Sequence, residues 1–177
     1  MEKAEIRKQM RALKAEMKPW DVLRRSADVM RQLESLDDFK RAKVVLMYWS
    51  MDDEVQTHAF VEQWYDKKTI LLPCVDGDIL RLRQYTGPLC MVPGEQFGIP
   101  EPAGEEWTDM DAIDMIAVPG VAFDQHNNRM GRGRGFYDRL LKLTQRAVTV
   151  GLAYSFQVLN EIPVEAHDVP MNIVISD

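Results

Sequence analysis

Three short apolar runs constrain this chain more than any other feature: Lys43–Trp49 (KVVLMYW), Thr69–Val75 (TILLPCV) and Asp114–Val118 (DMIAV). Each is rich in strand formers, too short for a helix, and nearly continuous rather than alternating. A strand of that kind is buried on both faces, so it belongs in a sheet covered by helices above and below.

The intervening segments supply those helices. Residues 2–17 carry Ile6, Met10, Leu13 and Met17 at i, i+4, i+7 and i+11, the stripe of an amphipathic helix that Pro19 ends. A second helix follows over about residues 20–37, with Leu23, Ala27, Met30 and Leu33 on one face. Thr57 is suited to cap a third helix, Thr57–Lys67, whose Phe60, Val61 and Trp64 face the core. After the turn at Asp76-Gly77, Ile79–Tyr85 alternates apolar and basic residues, predicting a hairpin partner for the run before it.

Thr86 to Asp111 holds four prolines and four glycines without periodicity and reads as a long loop. Phe136–Gln145 reads as a helix, and Ala147–Ala153 and Asn172–Ile175 as closing strands. Strands that alternate with helices predict one α/β domain over residues 1–177 with a mostly parallel sheet.

Charge narrows the function. With 22 Lys and Arg against 28 Asp and Glu, the net charge is −6, opposite to a chain that grips nucleic acid through its phosphates. The N-terminal segment is charged from Glu2 onward and lacks a signal peptide's apolar region. No apolar run approaches the roughly 20 residues of a membrane span. Cys74 and Cys90 form no CxxC pair and read as reduced thiols. The expectation is a soluble cytoplasmic protein, a monomer or weak homodimer without membrane or nucleic-acid partners.

The chemistry concentrates in Val118–Leu141, where a buried strand leads through Arg129-Met130-Gly131-Arg132-Gly133-Arg134-Gly135 into a helix. Alternate glycines permit positive φ and let backbone N–H groups converge on one point. The helix adds unpaired amides and its positive dipole end, and the arginines add charge. The pattern is neither the Walker loop nor the dinucleotide GxGxxG. A solvent-exposed turn without a ligand is the competing reading. Asp138 is either a helix-start carboxylate or a Mg²⁺ ligand, with Asp168 as its candidate partner.

Trp49-Ser50-Met51-Asp52-Asp53-Glu54 follows the first buried strand. Its three carboxylates bind an amino-bearing ligand, act in proton transfer, or form a solvated acidic loop. Lys3, Arg7, Arg11 and Lys14 share a helical stripe that is a solvated face or reaches a nucleotide's phosphates. His58, His126 and His167 lack zinc-site spacing, and no GxSxG nucleophile is present.

These blocks together resemble the 5-formyltetrahydrofolate cyclo-ligase family. The strongest likeness is Asn128–Asp138 (NRMGRGRGFYD), supported in order by Lys3–Arg7, Tyr48–Thr57, Phe97–Pro102, Pro119–Asp124 and His167-Asp168. The resemblance implies a three-layer α/β/α sandwich and an ATP- and Mg²⁺-dependent closure of 5-formyltetrahydrofolate to 5,10-methenyltetrahydrofolate. It implies ATP contacts from Lys3, Arg7 and the loop Arg129, Met130, Gly131, Arg132, Gly133, Arg134, Gly135 and Phe136. Arg132 and Tyr137 would take part in catalysis, and Asp138 and Asp168 would hold Mg²⁺. Trp49, Glu54, Phe97, Tyr137 and the Arg132–Phe136 stretch would touch the folate, with Glu54 on the pterin's amino-amide edge.

Two departures stand out. Phe136 replaces the usual tyrosine and carries no hydroxyl, and Arg134 stands where lysine or glycine is common. A nucleotide- or sugar-phosphate-sensing α/β domain without catalysis is the alternative expectation.

Overall fold

The computed structural model describes residues 1–96 and 98–177. Helix α1 (Lys3–Ala15) turns Ile6 and Met10 inward, and the Glu5 carboxylate accepts the Glu2 N–H at its start. Pro19 does not merely end α1: it opens α2 (Pro19–Ser35), where its missing N–H costs nothing. The second helix stops two residues before the expected end. Leu36 is extended, and a separate turn of helix, α3 (Asp37–Arg41), buries Phe39.

Strand β1 (Val44–Leu46) leads to α4 (His58–Trp64) and then to the hairpin β2 (Thr69–Asp76) and β3 (Ile79–Gln84). The expected long loop contains structure. Strands β4 (Met91–Pro93) and β5 (Pro100–Pro102) pair as an antiparallel ribbon, and β6 (Glu106–Trp107) joins the edge of β3. Beyond β7 (Met115–Val118), the glycine-rich stretch forms another hairpin, β8 (Ala122–Asp124) and β9 (Arg129–Met130). Helix α5 (Phe136–Leu143), β10 (Val148–Ala153), β11 (Val158–Leu159) and β12 (Ile173–Ser176) complete the chain.

The main sheet runs β12-β10-β7-β1-β2-β3-β6. Its first five strands are parallel, and β3 and β6 are antiparallel additions at one edge. Successive residues face opposite layers. Val45 and Met47 join Val29, Leu33, Phe39, Phe60 and Val61 of α2, α3 and α4. Leu46 joins Phe123 with Leu140 and Leu141 of α5. A third cluster packs Ile6 and Met10 of α1 on Ala122, Met130 and Ile162, beside the small sheet β11-β8-β9. These layers give the three-layer α/β/α sandwich.

Chain order reverses at β1: β2, β3 and β6 extend to one side, whereas β7, β10 and β12 return on the other. In such sheets the ligand crevice opens beyond the carboxyl ends of the two strands at the reversal. Here those ends deliver Tyr48–Thr57 and Pro119-Gly120.

Phe123 holds the sandwich and the small sheet together between two glycines. A Cβ added at Gly151 of β10 would lie 2.5 Å from its ring, and one at Gly120 would lie 2.7 Å away. Gly151→Ala is therefore expected to destabilise the chain by about 1–3 kcal/mol through overpacking. Urea unfolding checks it; an unchanged midpoint would mean that the ring has room to move.

Candidate active site

The loop after β1 is tied to itself. Thr57 was expected to cap α4, but its hydroxyl donates to the Tyr48 carbonyl at 2.5 Å and accepts the Ser50 N–H at 3.2 Å. The Ser50 hydroxyl in turn accepts the Thr57 N–H at 3.0 Å. The Gln56 amide donates to the Met51 and Glu54 carbonyls, and the Tyr154 hydroxyl donates to the latter as well. A loop so braced fixes two side chains at the cleft. Trp49 stacks on His58 with ring centroids 3.8 Å apart, and Glu54 accepts the Met51 N–H at 2.8 Å. Burial raises the Glu54 pKa and also lifts that of Tyr137, which lies in its field.

The arginine-glycine loop rests on a buried carboxylate. Asp124, 1% exposed, accepts the backbone N–H groups of His126, Asn128 and Ile162 and the Asn128 amide. Burial pushes its pKa up, but these four bonds outweigh burial and leave it lowered. Such a group stabilises the fold fully above the ordinary carboxylate range, and the stabilisation is lost as pH falls through the lowered folded value. Asp124→Ala, which orphans several buried donors, is expected to cost about 3 kcal/mol at neutral pH. The penalty should shrink in acid, which urea titrations at several pH values measure; a pH-independent penalty would contradict the assignment.

Arg129 is anchored to the scaffold through Nε while its side chain also lines the cleft. Its guanidinium is buried, donates to the Pro119 carbonyl at 2.6 Å, lies 5.3 Å from the Tyr137 ring centroid and stands 3.9 Å from Asp138. The side chain of Met130 is likewise buried, in the cluster around Ile6 and Met10. A Cβ on Gly131 would lie 3.0 Å from the Arg129 guanidinium, so glycine lets the backbone pass over it. Arg7 reaches across from α1 and donates through Nε and Nη2 to the Gly131 carbonyl.

Arg132, Gly133 and Arg134 are exposed beyond these anchors. Arg132 donates to both carboxylate oxygens of Asp53, at 3.0 and 3.2 Å. Lys14, on the same helical stripe as Lys3 and Arg7, stands 3.9 Å from the same carboxylate with its pKa lowered by burial. Gly133 and Gly135 have φ of +106° and +72°, and Gly135 opens α5. The Phe136 ring, which has no hydroxyl to offer, lies under the guanidinium groups of Arg134 and Arg139, at 5.1 and 5.6 Å.

The acidic corner is built from two segments. Asp138 accepts the Val169 N–H at 3.4 Å, which ties it to the residue after Asp168. Asp168, Glu165 and His167 have ligating atoms within 4.8 Å of one another. Lys3 stands 3.3 Å from Glu165 and 3.7 Å from Asp168. Glu165 went unnoticed in the sequence because nothing in its spacing separates it from a surface glutamate.

One cleft of about 870 Å³ collects these groups. Lys3, Arg7, Trp49, Glu54, the whole Arg129–Asp138 segment and Asp168 line it. Phe97 lies outside the described residues. Lining residues that the sequence reading missed include Tyr48, Glu101, Arg139 and Lys142. Among the described residues no serine, threonine or cysteine lines it. No helix among them is long and apolar enough to cross a membrane.

The likeness to known proteins extends over the full chain. It matches the 5-formyltetrahydrofolate cyclo-ligase family across residues 1–177. A Haemophilus influenzae protein named 5-formyltetrahydrofolate cyclo-ligase is 31% identical over 175 residues, covering 94% of this chain and 93% of that protein. A Mus musculus protein of the same name is 28% identical, covering 98% of this chain and 90% of its own. The solved structure of Aquifex aeolicus 5,10-methenyltetrahydrofolate synthetase is 38% identical with a TM-score of 0.88, covering 98% of this chain and 89% of that one. On the family match, the shared fold and the relatives' activity, the chain belongs to the 5-formyltetrahydrofolate cyclo-ligase family and is an enzyme, a ligase.

Proposed function

We propose that this ligase closes 5-formyltetrahydrofolate to 5,10-methenyltetrahydrofolate with ATP and Mg²⁺, releasing ADP and phosphate. The observation that carries this reading is the make-up of the cleft. A guanidinium-bearing loop at a helix start faces a carboxylate corner, with no serine, threonine or cysteine nucleophile among the described lining residues. Direct phosphoryl transfer between two bound substrates needs positioning and charge neutralisation rather than a covalent enzyme intermediate.

The formyl amide is a poor electrophile. Transfer of the γ-phosphoryl group to its oxygen forms a P–O bond there, breaks the bond to ADP and turns that oxygen into a leaving group. N10 then attacks the formyl carbon and gives up its proton, and the C–O bond breaks as phosphate leaves. In this reading Arg132 and Arg134, with the amides of Gly133 and Gly135, hold the phosphates, and Lys3 adds charge from α1. Arg7 acts chiefly by holding the loop through the Gly131 carbonyl. Trp49, Glu54 and Tyr137 border the folate.

Asp138 and Asp168 would hold the Mg²⁺ ion: Asp138 accepts the N–H of the residue after Asp168, Glu165 and His167 bring further ligating atoms within 4.8 Å of Asp168's, and Mg²⁺ on phosphates commonly takes one or two carboxylates. When bound, the ion neutralises charge on the phosphate oxygens.

The reading is tested by ATP consumption with and without 5-formyltetrahydrofolate, with the methenyl product followed by its near-ultraviolet absorbance. ATP turnover that ignores the folate would overturn it. Glu54→Gln should weaken folate binding by roughly ten- to a hundredfold, because bonds to an ionised acceptor are the stronger ones. ATP binding should stay nearly intact, and calorimetry with each ligand separates the two. Equal losses for both would make Glu54 a structural residue.

A further inference from the structure

The cleft holds a buried carboxylate that the reaction described above does not use. Glu101, on β5, is 8% exposed and lines the cleft with Pro73, Val75, Leu80 and Ile99. One oxygen accepts the Val75 N–H at 2.7 Å. That N–H needs a partner because the pairing of β1 with β2 ends at Leu46 and Leu71, leaving this edge of β2 open. The ribbon is shaped around the carboxyl: a Cβ on Gly94 would lie 3.0 Å from the Glu101 carboxyl carbon and 2.3 Å from the Ile99 carbonyl oxygen.

No lysine, arginine or histidine among the described residues forms an ion pair with Glu101. Its other oxygen accepts no hydrogen bond among them either. The residue is nine-tenths buried on an apolar wall, yet its second oxygen is not sealed off: it opens to the cleft with no protein donor among the described residues. In a ligand pocket such a group fixes orientation and rejects molecules that lack the matching donor.

We propose that Glu101 is a specificity-determining residue whose second oxygen accepts N–H bonds from the amino-amide edge of the pterin. The inference rests on the folate reading above and changes the carboxylate assigned to that edge. The formyl group sits on N5, and N5 must approach the γ-phosphate at the arginine loop. The 2-amino group and N3–H lie at the opposite end of the bicycle, so they point away from that loop. Glu54 follows Asp53, the carboxylate that Arg132 grips, at the phosphate end. Glu101 shares no partner with the arginine loop and stands over the end of β2, where the distal edge would arrive.

Glu101→Gln separates recognition from structure. The amide keeps an oxygen for the Val75 N–H and the same shape, but turns an N–H₂ group toward the pterin's own donors. The variant should melt like the wild type, bind ATP equally and lose roughly ten- to a hundredfold in affinity for 5-formyltetrahydrofolate. A folate analogue with the 2-amino group replaced by methyl should bind the wild type more weakly than the parent. The gap in affinity between the wild type and Glu101→Gln should narrow for that analogue, because only N3–H is left to donate.

Unchanged folate affinity in a folded Glu101→Gln protein would overturn the proposal while leaving the folate reading intact. So would a wild type indifferent to loss of the 2-amino group, a result that needs no variant to fold. A wild-type chain that binds no 5-formyltetrahydrofolate would overturn the folate reading itself, and this assignment with it.

Discussion

Replacing Arg132 by alanine is expected to lower kcat/KM for ATP by about two to three orders of magnitude while leaving the fold nearly untouched. The two halves of that expectation have separate physical origins. The side chain is 50% exposed, and its partner Asp53 is 46% exposed. An ion pair between groups so open to water contributes about 0–1 kcal/mol, so its loss should barely move the unfolding midpoint.

Catalysis is different, because the charge met by a guanidinium at the transferring phosphoryl group develops along the reaction and is poorly stabilised by water alone. Asp53 accepts two bonds from Arg132 and Lys14 stands 3.9 Å from the same carboxylate; on the proposed reading a phosphate oxygen takes over the guanidinium from this weak pair. Arg132→Lys should recover only part of the loss, since a point charge cannot reproduce a two-pronged donor. Steady-state kinetics with ATP and folate varied independently, beside a urea titration, decides it. Near-wild-type ATP kinetics in Arg132→Ala would make the loop a solvated turn.

What could be read from the chain beforehand depended on the length of the pattern. The runs around Val45, Ile70 and Ile116 are long enough to declare strands buried on both faces, and they fixed the layered class. Ala122–Asp124, Arg129-Met130 and Met91–Pro93 are two or three residues each. No period can be counted in so few positions, so both small ribbons were invisible and the long proline-rich segment looked structureless. Thr57 stands at the N-cap position of α4 as expected, but its hydroxyl oxygen accepts a tertiary donor, the Ser50 N–H, instead of a helix amide.

The arginine-glycine loop was legible because its chemistry is contiguous in sequence. The division of labour among its arginines was not. Nothing in the spelling RMGRGRG says that Arg129 is buried against the Pro119 carbonyl while Arg132 stays exposed. Glu101 escaped notice because a lone carboxylate between two prolines gains its meaning only from the open edge of β2 beside it.

Gly133→Val tests the loop's backbone rather than its charge, and the expected loss of ATP-dependent turnover is at least as deep as that of Arg132→Ala. Space is not the reason: the nearest atom to a Cβ added at Gly133 is Nη2 of Arg7, at 3.7 Å, an ordinary contact. The reason is φ, which stands at +106° and which a β-branched residue strongly avoids. Valine must therefore either hold strain of about 1–3 kcal/mol or rotate the peptide out of register. Rotation is the cheaper course, because Gly133 is exposed and only its neighbours are anchored, through Arg7 on one side and α5 on the other. It would turn the Gly133 amide and both flanking guanidinium groups away from the phosphates at once. Gly133→Ala carries the same φ conflict without the branch and should fall between the wild type and valine. If both variants keep normal ATP kinetics and melt like the parent, the positive-φ conformation has no part in phosphate binding. If ATP affinity and turnover fall in the order glycine, alanine, valine while stability changes by no more than the strain, the backbone of this turn is part of the phosphate site in its own right.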